Sequence, residues 1–359
     1  MANGLNSSYF LVTDESGQSD AYFSIFVEVN ADHSWNYYAA VVLIVLSGTL
    51  LLEGFASLIL LCSHKKFQTV TNLLVLSNSF IALLLLPFSI LMFLAAKDGQ
   101  WLSGSISCKY SPFSILLSTF ILVWVNAFIA LDRHRQITSS ASPQLRLKSA
   151  IVLLVITWII GSVLLSPYFI VYDVLEIELD NIPYQICSRP SSVLATFLTA
   201  FTLTCSIIIP FVVLIVSYRQ TFKEIQKNTL QLKKLKTPQP SSTPQRTSTL
   251  HGGPITSIAQ REKRNKRYKR MVIILVFLVA LFITLWLPLA ILFVAITIDT
   301  NLKTYKLHSY HILLGVIGVL LNGCITPIFY LLTDANIRRY LFRKCSHRKN
   351  VTERSLTYA

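Results

Sequence analysis

Apolar and polar positions alternate along this chain in long blocks rather than in short amphipathic repeats. Apolar stretches fall near residues 38–63, 71–95, 110–131, 149–171, 192–217, 271–297 and 309–332, with polar connections between them. About 20 apolar residues in helical conformation span the roughly 30 Å hydrocarbon core of a bilayer. The pattern therefore predicts seven membrane-spanning helices in an all-α bundle. The third block has no ionisable side chain from Ser111 to Leu131, begins just after Cys108, and ends in Asp132-Arg133-His134-Arg135. One spanning helix thus carries a cysteine at one end and an acid–arginine pair at the other.

The connections have their own signatures. Residues 1–36 are polar and acidic with scattered aromatics and read as a mostly unstructured outer segment. YDVLEIELDNIPYQICSRP, after the fourth block, alternates acidic and apolar residues as a short hairpin does. Residues 219–270 form a long basic connection, and within it residues 237–259 are rich in Pro, Ser, Thr and Gly, the composition of an unpacked linker. ANIRRYLFRK, residues 335–344, predicts a short amphipathic eighth helix lying on the membrane, followed by Cys345, a palmitoylation candidate, in the 335–359 tail. The bundle itself occupies residues 37–334.

Composition agrees with the pattern: mean hydropathy is +0.56 and only 14% of the residues are charged, against about 25% in soluble domains. The net charge of +15 would suggest nucleic acid if it lay on a folded domain. It does not, because segments 64–72, 132–148, 219–270 and 334–359 hold 27 of the 32 Lys and Arg, and the first 36 residues hold none. By the positive-inside rule this places the N-terminus outside and the C-terminus in the cytoplasm of a multi-pass plasma-membrane protein. No cleavable signal peptide is evident ahead of the first block. Asn6-Ser7-Ser8 is a glycosylation sequon on the expected outer side.

Prolines and single polar residues punctuate the spans. Pro87, Pro167, Pro210, Pro288 and Pro327 each remove a helical donor, so bends are expected, with the Leu83 carbonyl freed by Pro87 and the Thr284 carbonyl by Pro288. Glu53 lies within the first span and should face the bundle interior or be protonated, since a carboxylate there costs about 2.5–3.5 kcal/mol. Trp101 reads as a loop anchor or an interfacial aromatic. Cys62, Cys205 and Cys324 read as small buried hydrophobes. Cys108 and Cys187 both stand at expected outer positions, where oxidation is favoured, and a bridge between them would pin the hairpin over the bundle mouth.

Together these residues resemble the rhodopsin-like G-protein-coupled receptors from about residue 38 to 345. The fingerprint is Cys108 with Cys187, Asp132-Arg133, Trp158, Pro210 with Tyr218, Phe282-x-x-x-Trp286-x-Pro288, and Asn322 with Pro327-x-x-Tyr330. The resemblance implies a receptor for an outer signal that activates a heterotrimeric G protein by outward movement of the sixth helix. Asp132 would restrain Arg133 at rest, Tyr218 and Tyr330 would support the active form, and Trp286 would sense the ligand. Arrestin-like regulators and membrane lipids are further expected partners.

Departures from the family pattern are informative. With Thr69–Asn72 and Ser77 aligned to the start of the family's second helix, Ala82 stands where a sodium-binding aspartate is usual, with Asn78 the nearest polar residue. Gly54, Leu122 and Thr326 replace other usual polar residues, leaving Asn322 and a possible substitute acid in Glu53. His134 stands where tyrosine is commoner, and no acid precedes the sixth helix at Tyr268. Raised basal signalling is the expectation. Ile115 at the amine-receptor aspartate position argues against a biogenic amine, and Leu320 at the retinal-attachment position argues against an opsin, which favours a peptide or small non-amine ligand. The expected pocket comprises Ser111, Ser114, Ile115, Ser118, Trp286 and His311. No cofactor and no metal are expected. A ligand-independent signaller or heteromer partner is the alternative within this fold, and a transporter or channel is the alternative outside it. The chain has no HExxH, GxSxG or phosphate-loop motif that would suggest an enzyme.

Overall fold

The computed structural model describes residues 9–13, 19–24, 33–63, 69–98, 100–138, 146–179, 182–190 and 193–236, with scattered positions in 266–284 and 316–325. Its helices are α1 (His33–Ser63), α2 (Val70–Phe80), α3 (Ala82–Asp98), α4 (Gly104–Thr138), α5 (Leu147–Leu165), α6 (Tyr168–Val171), α7 (Val193–Leu203) and α8 (Ile209–Lys236). A π-helical turn, Thr204–Ile208, joins α7 to α8. Among the described residues five segments are long and apolar enough to cross a membrane: Tyr37–Ile59, Asn72–Ala95, Gly104–Arg135, Leu147–Val171 and Ala200–Gln231. These coincide with the first five apolar blocks of the sequence. Val316–Ile325, inside the seventh block, forms a shorter apolar helix. The sixth block and residues 335–344 lie largely or wholly outside the described residues.

α4 is the central element. Phe120, Ile121, Leu122, Val123, Val125, Ala127, Ile129 and Ala130 are all buried, and the core they belong to takes in residues from α1, α2, α3, α5 and α8. By contrast Ile151, Val152, Val155, Ile156, Ile159, Ile160 and Val163 of α5 are exposed outside the bundle. Such a face is stable only against lipid.

Glycine sets the closest approach of two helix pairs. A Cβ on Gly54 would stand 2.9 Å from the Cβ of Ser79, bringing α1 against α2. On Gly161 it would meet the tips of Leu117 and Phe120 at 2.8 Å. A Cβ in the first place cannot rotate away, whereas side-chain tips in the second can.

Each proline-associated break in the described spans has a local answer. The break in the second span falls at Ile81, between α2 and α3, and Pro87 sits within α3. Pro87 has no N–H for the Leu83 carbonyl, and the neighbouring Leu84 carbonyl accepts from the Tyr110 hydroxyl of α4 at 2.8 Å. Pro167 deprives the Val163 carbonyl of its helical donor, and Ser166 supplies both its hydroxyl (2.8 Å) and its N–H (3.4 Å). Near Pro210 the chain takes up a π-turn, and the indole N–H of Trp124 donates across from α4 to the Cys205 carbonyl at 3.3 Å. Pro112, within α4, was not anticipated as a kink and lies inside a continuous helix.

A four-stranded antiparallel sheet lies at the Cys108 end of the bundle, in the order β1 (Tyr9–Thr13), β2 (Ser19–Ser24), β4 (Ile182–Pro190), β3 (Asp173–Leu179). The β3–β4 hairpin matches the alternation read in the sequence, with Val174 opposite Cys187 and Glu176 opposite Gln185. The N-terminal segment, expected to be mostly unstructured, contributes two short strands to this sheet. β2 pairs with the free edge of β4 from Tyr22 opposite Pro190 to Ser24 opposite Ser188, so the edge left open by a two-stranded hairpin is covered.

The two glycine contacts yield an ordered pair of outcomes. Gly54→Ala should cost about 1–3 kcal/mol by overpacking and should lower the thermal unfolding midpoint of the detergent-solubilised protein more than Gly161→Ala does. Equal midpoints for the two variants would contradict the close α1–α2 approach.

Candidate functional site

The residues singled out by the sequence fall at opposite ends of α4. At one end Cys108 and Cys187, both fully buried, form a disulfide with Cα atoms 5.4 Å apart across a separation of 79 residues. The hairpin is held by more than this bond. Trp101 is wholly buried, donates its backbone N–H to the Gln185 carbonyl at 2.7 Å, and donates its indole N–H to the Gly104 carbonyl at 3.1 Å. It is therefore the loop anchor of the two roles considered. Gly104 itself has φ of 83°, a left-handed conformation that glycine adopts without strain, and so turns the chain into α4.

Asp173, the first residue of β3, faces the start of α4. Its carboxylate accepts from the Ser105 hydroxyl at 2.5 Å and from its neighbour's N–H at Val174 at 2.9 Å, and pairs with Lys109 at 3.2 Å. The Ser105 hydrogen bond, then the Val174 N–H and then Lys109, hold its carboxyl below the ordinary value of 3.8. Glu176 accepts from Gln185 at 2.8 Å. Two of the acids in this loop are thus engaged within the fold.

The pocket candidates on α4 that the structure describes are turned inward. Ser111, Ser114 and Ser118 are fully buried, and their hydroxyls donate to the carbonyls of Ser107, Ser111 and Ser114 at 2.9, 2.9 and 2.6 Å. Ile115 is partly buried and packs against the core. Trp286 and His311, the other pocket candidates, lie outside the described residues.

At the opposite end of α4, Asp132 is 1% exposed, and Arg133 and His134 are half-buried. Asp132 and Arg135 line a cavity of about 200 Å³ together with Val70 and Leu74 of α2, Phe128 and Leu131 of α4, and Ala150 and Leu153 of α5. The other side of the same turn meets α8, where Ser217, Tyr218, Thr221 and Ile225 are buried at helical spacing. His134 Nδ1 lies 3.4 Å from the Thr221 hydroxyl. Sequence reasoning missed Thr221, because a threonine in a polar helix end carries no signal until its partner is known. Phe282, Pro288, Asn322, Pro327, Tyr330, Asn6 and Cys345 lie outside the described residues.

Of the intramembrane polar residues, Glu53 has one carboxylate oxygen buried with no hydrogen-bond partner among the described residues, as do both amide atoms of Asn78. Ala82, at the position of the usual sodium-binding acid, is fully buried, and so is Leu122. Trp158 packs against the core and Tyr218 is 7% exposed. Of the three free cysteines among the described residues, only Cys324 is buried. Cys62 is exposed and Cys205 half-buried, which corrects the expectation for both. Cys62 sits near the end of α1 on its outward side, and the π-turn leaves Cys205 only partly covered.

Two measurements address the Cys108 end. Cys108→Ser or Cys187→Ser should remove about 2–4 kcal/mol and sharply reduce delivery to the cell surface, and surface levels equal to wild type in both would contradict the hairpin's role. Asp173 has a depressed value in the folded protein, so its contribution is present above the ordinary value and lost as pH falls through the lower folded one. The difference in thermal midpoint between wild type and Asp173→Asn should therefore shrink as pH drops below about 4. A constant difference across that window would rule the effect out.

The comparisons with known proteins fit this arrangement. The chain is 23% identical over 288 residues to neuropeptide receptor 22 of Caenorhabditis elegans, a match covering 76% of this chain and 61% of that receptor. It is 22% identical over 329 residues to neuropeptide Y receptor type 1 of Xenopus laevis, covering 87% and 81%. It is 24% identical over 291 residues to neuropeptide Y receptor type 2 of Cavia porcellus, covering 77% and 67%. The family model described as 7 transmembrane receptor (rhodopsin family) matches residues 55–330, well over half of the chain, and the chain belongs to that family of membrane receptors.

Proposed function

We propose that this receptor takes a peptide ligand at the Cys108 end of the bundle and activates a heterotrimeric G protein at the Arg133 end. The observation that carries the reading is the buried Asp132 beside Arg133 at the end of α4 remote from the disulfide. A guanidinium at a membrane boundary needs an acceptor, and an arginine with two alternative sets of acceptors makes a two-state element. Asp132 supplies the first set, and Tyr218 with Tyr330 the second. Outward movement of the sixth helix about Pro288 would open the surface for the G protein, with Phe282 and Trp286 linking it to the pocket and Asn322 and Pro327 loosening the seventh helix. The peptide class rests on the names of the relatives, which are neuropeptide receptors.

The distribution of Lys and Arg supports an extracellular N-terminus, glycosylated at Asn6, and a cytoplasmic C-terminus. The basic 219–270 connection and the 335–359 tail, with its amphipathic helix and Cys345, suit arrestin-like regulators and the lipid surface. The apolar residues at Ala82 and Leu122 and the lack of an acid at Tyr268 favour raised basal activity. The same features support the second reading, a ligand-independent signaller or heteromer partner.

The test is ligand-free activation of a panel of G-protein subtypes in cells, comparing wild type with Arg133→Ala at matched surface expression. A basal signal that falls severalfold in the variant is the expected result. A basal signal unchanged by the substitution would overturn the role of Arg133, and silence in the wild type would remove the claim of raised basal activity.

A further inference from the structure

The Arg133 turn of α4 faces two different surroundings. Successive residues of a helix are about 100° apart, so Asp132 and His134 lie about 200° apart around the axis with Arg133 midway. Asp132 borders the cavity shared with α2 and α5, while His134 reaches the α8 side at Thr221.

The chemistry of that second contact is constrained. Thr221 is fully buried, and its hydroxyl has one hydrogen, which it donates to the Ser217 carbonyl at 2.8 Å. What remains on its oxygen is acceptor capacity. In this contact the imidazole nitrogen 3.4 Å away is therefore left the donor role, which calls for the proton on Nδ1. The ordinary tyrosine of this position has its hydroxyl beyond a six-membered ring and cannot place a donor at the same point.

We infer that His134 is a positioning residue, whose Nδ1–H is donated to the buried Thr221 hydroxyl and fixes the Arg133 turn of α4 against α8. Tyr218 lies three residues before Thr221 on the same buried stripe, so the contact sets the distance between the Arg133 turn and Tyr218. The hydrogen bond is long, and its effect is correspondingly small. It adds a directional contact to two helices already packed through Leu214, Tyr218 and Ile225.

Two measurements on the full-length receptor test this without requiring any transducer, so they stand apart from the G-protein reading. The first is the ¹⁵N spectrum of histidine-labelled protein, with the His134 signals identified by their loss in His134→Phe. The neutral ring should carry its proton on Nδ1, and a ring protonated only on Nε2 would overturn the inference. The second is a double-mutant cycle in thermal unfolding. Thr221→Val and His134→Phe should each lower the midpoint, and the double variant should lie no lower than the worse single one. Thr221→Ser and His134→Asn, which keep the acceptor and a donor near Nδ1, should behave as wild type. Additive shifts, or a wild-type midpoint in Thr221→Val, would overturn it. Where ligand-free nucleotide exchange is measurable, the two single variants should change it by the same factor, in the same direction, and the double variant no further. Opposite or multiplying changes would count against the contact as the positioning element.

Discussion

Inside a bilayer no water is available to a carbonyl that has lost its helical donor, so every such group must be satisfied by the protein itself. The described spans contain several prolines, and side-chain donors reach carbonyls close to them. Tyr110 reaches from α4 to the Leu84 carbonyl, and Trp124 reaches from α4 to the Cys205 carbonyl. Ser166 closes the Val163 carbonyl from within its own turn. Two of these three donors lie on α4, so the helix that carries the disulfide and the Arg133 turn also mends its neighbours. Each bond contributes about 1 kcal/mol in ordinary circumstances. Losing one in lipid costs more wherever the carbonyl has no second donor within the protein.

This makes α4 a common reference for both ends of the molecule. The hairpin is fixed to it by Cys108, by the Asp173 cluster and, through the preceding loop, by Trp101. The fifth span is fixed to it by Trp124 in the middle and by the Thr221 contact at the far end. A displacement of the hairpin and a displacement of α8 are therefore both displacements relative to one rigid helix. The proposed transmission from one end to the other would rely on this shared reference.

The sequence made the spans legible because apolar length is a strong and additive property. It made the β3–β4 hairpin legible through alternation, and the Cys108–Cys187 and Asp132–Arg133 features through residue type at helix ends. What it concealed depended on partners distant in the chain. The covering of the β4 edge by β2 could not be read from SDAYFS, which looks like any short polar stretch with aromatics. The break at Ile81 lies six residues before Pro87, at a position that the proline does not mark. The back-bonding of Ser111, Ser114 and Ser118, pocket candidates by their place in the third span, is likewise nothing that residue type announces. Their hydroxyls turn back to the helix carbonyls, as buried serines in spans commonly do. Cys62 looked buried because it lies in an apolar block, but block hydropathy says nothing about which side of a helix a residue occupies.

The π-turn at Thr204–Ile208 lies at the base of a helix of 28 residues, Ile209–Lys236, that continues beyond the apolar part of its span. At about 1.5 Å per residue that arm is roughly 42 Å long. A rotation of 5° at its base would carry its tip through roughly 4 Å by that length. Leu214, Tyr218, Thr221 and Ile225 are buried and Thr221 meets His134, so the first half of the arm is held against α4 and such a swing is confined to the stretch beyond Ile225 unless the Thr221 contact is given up.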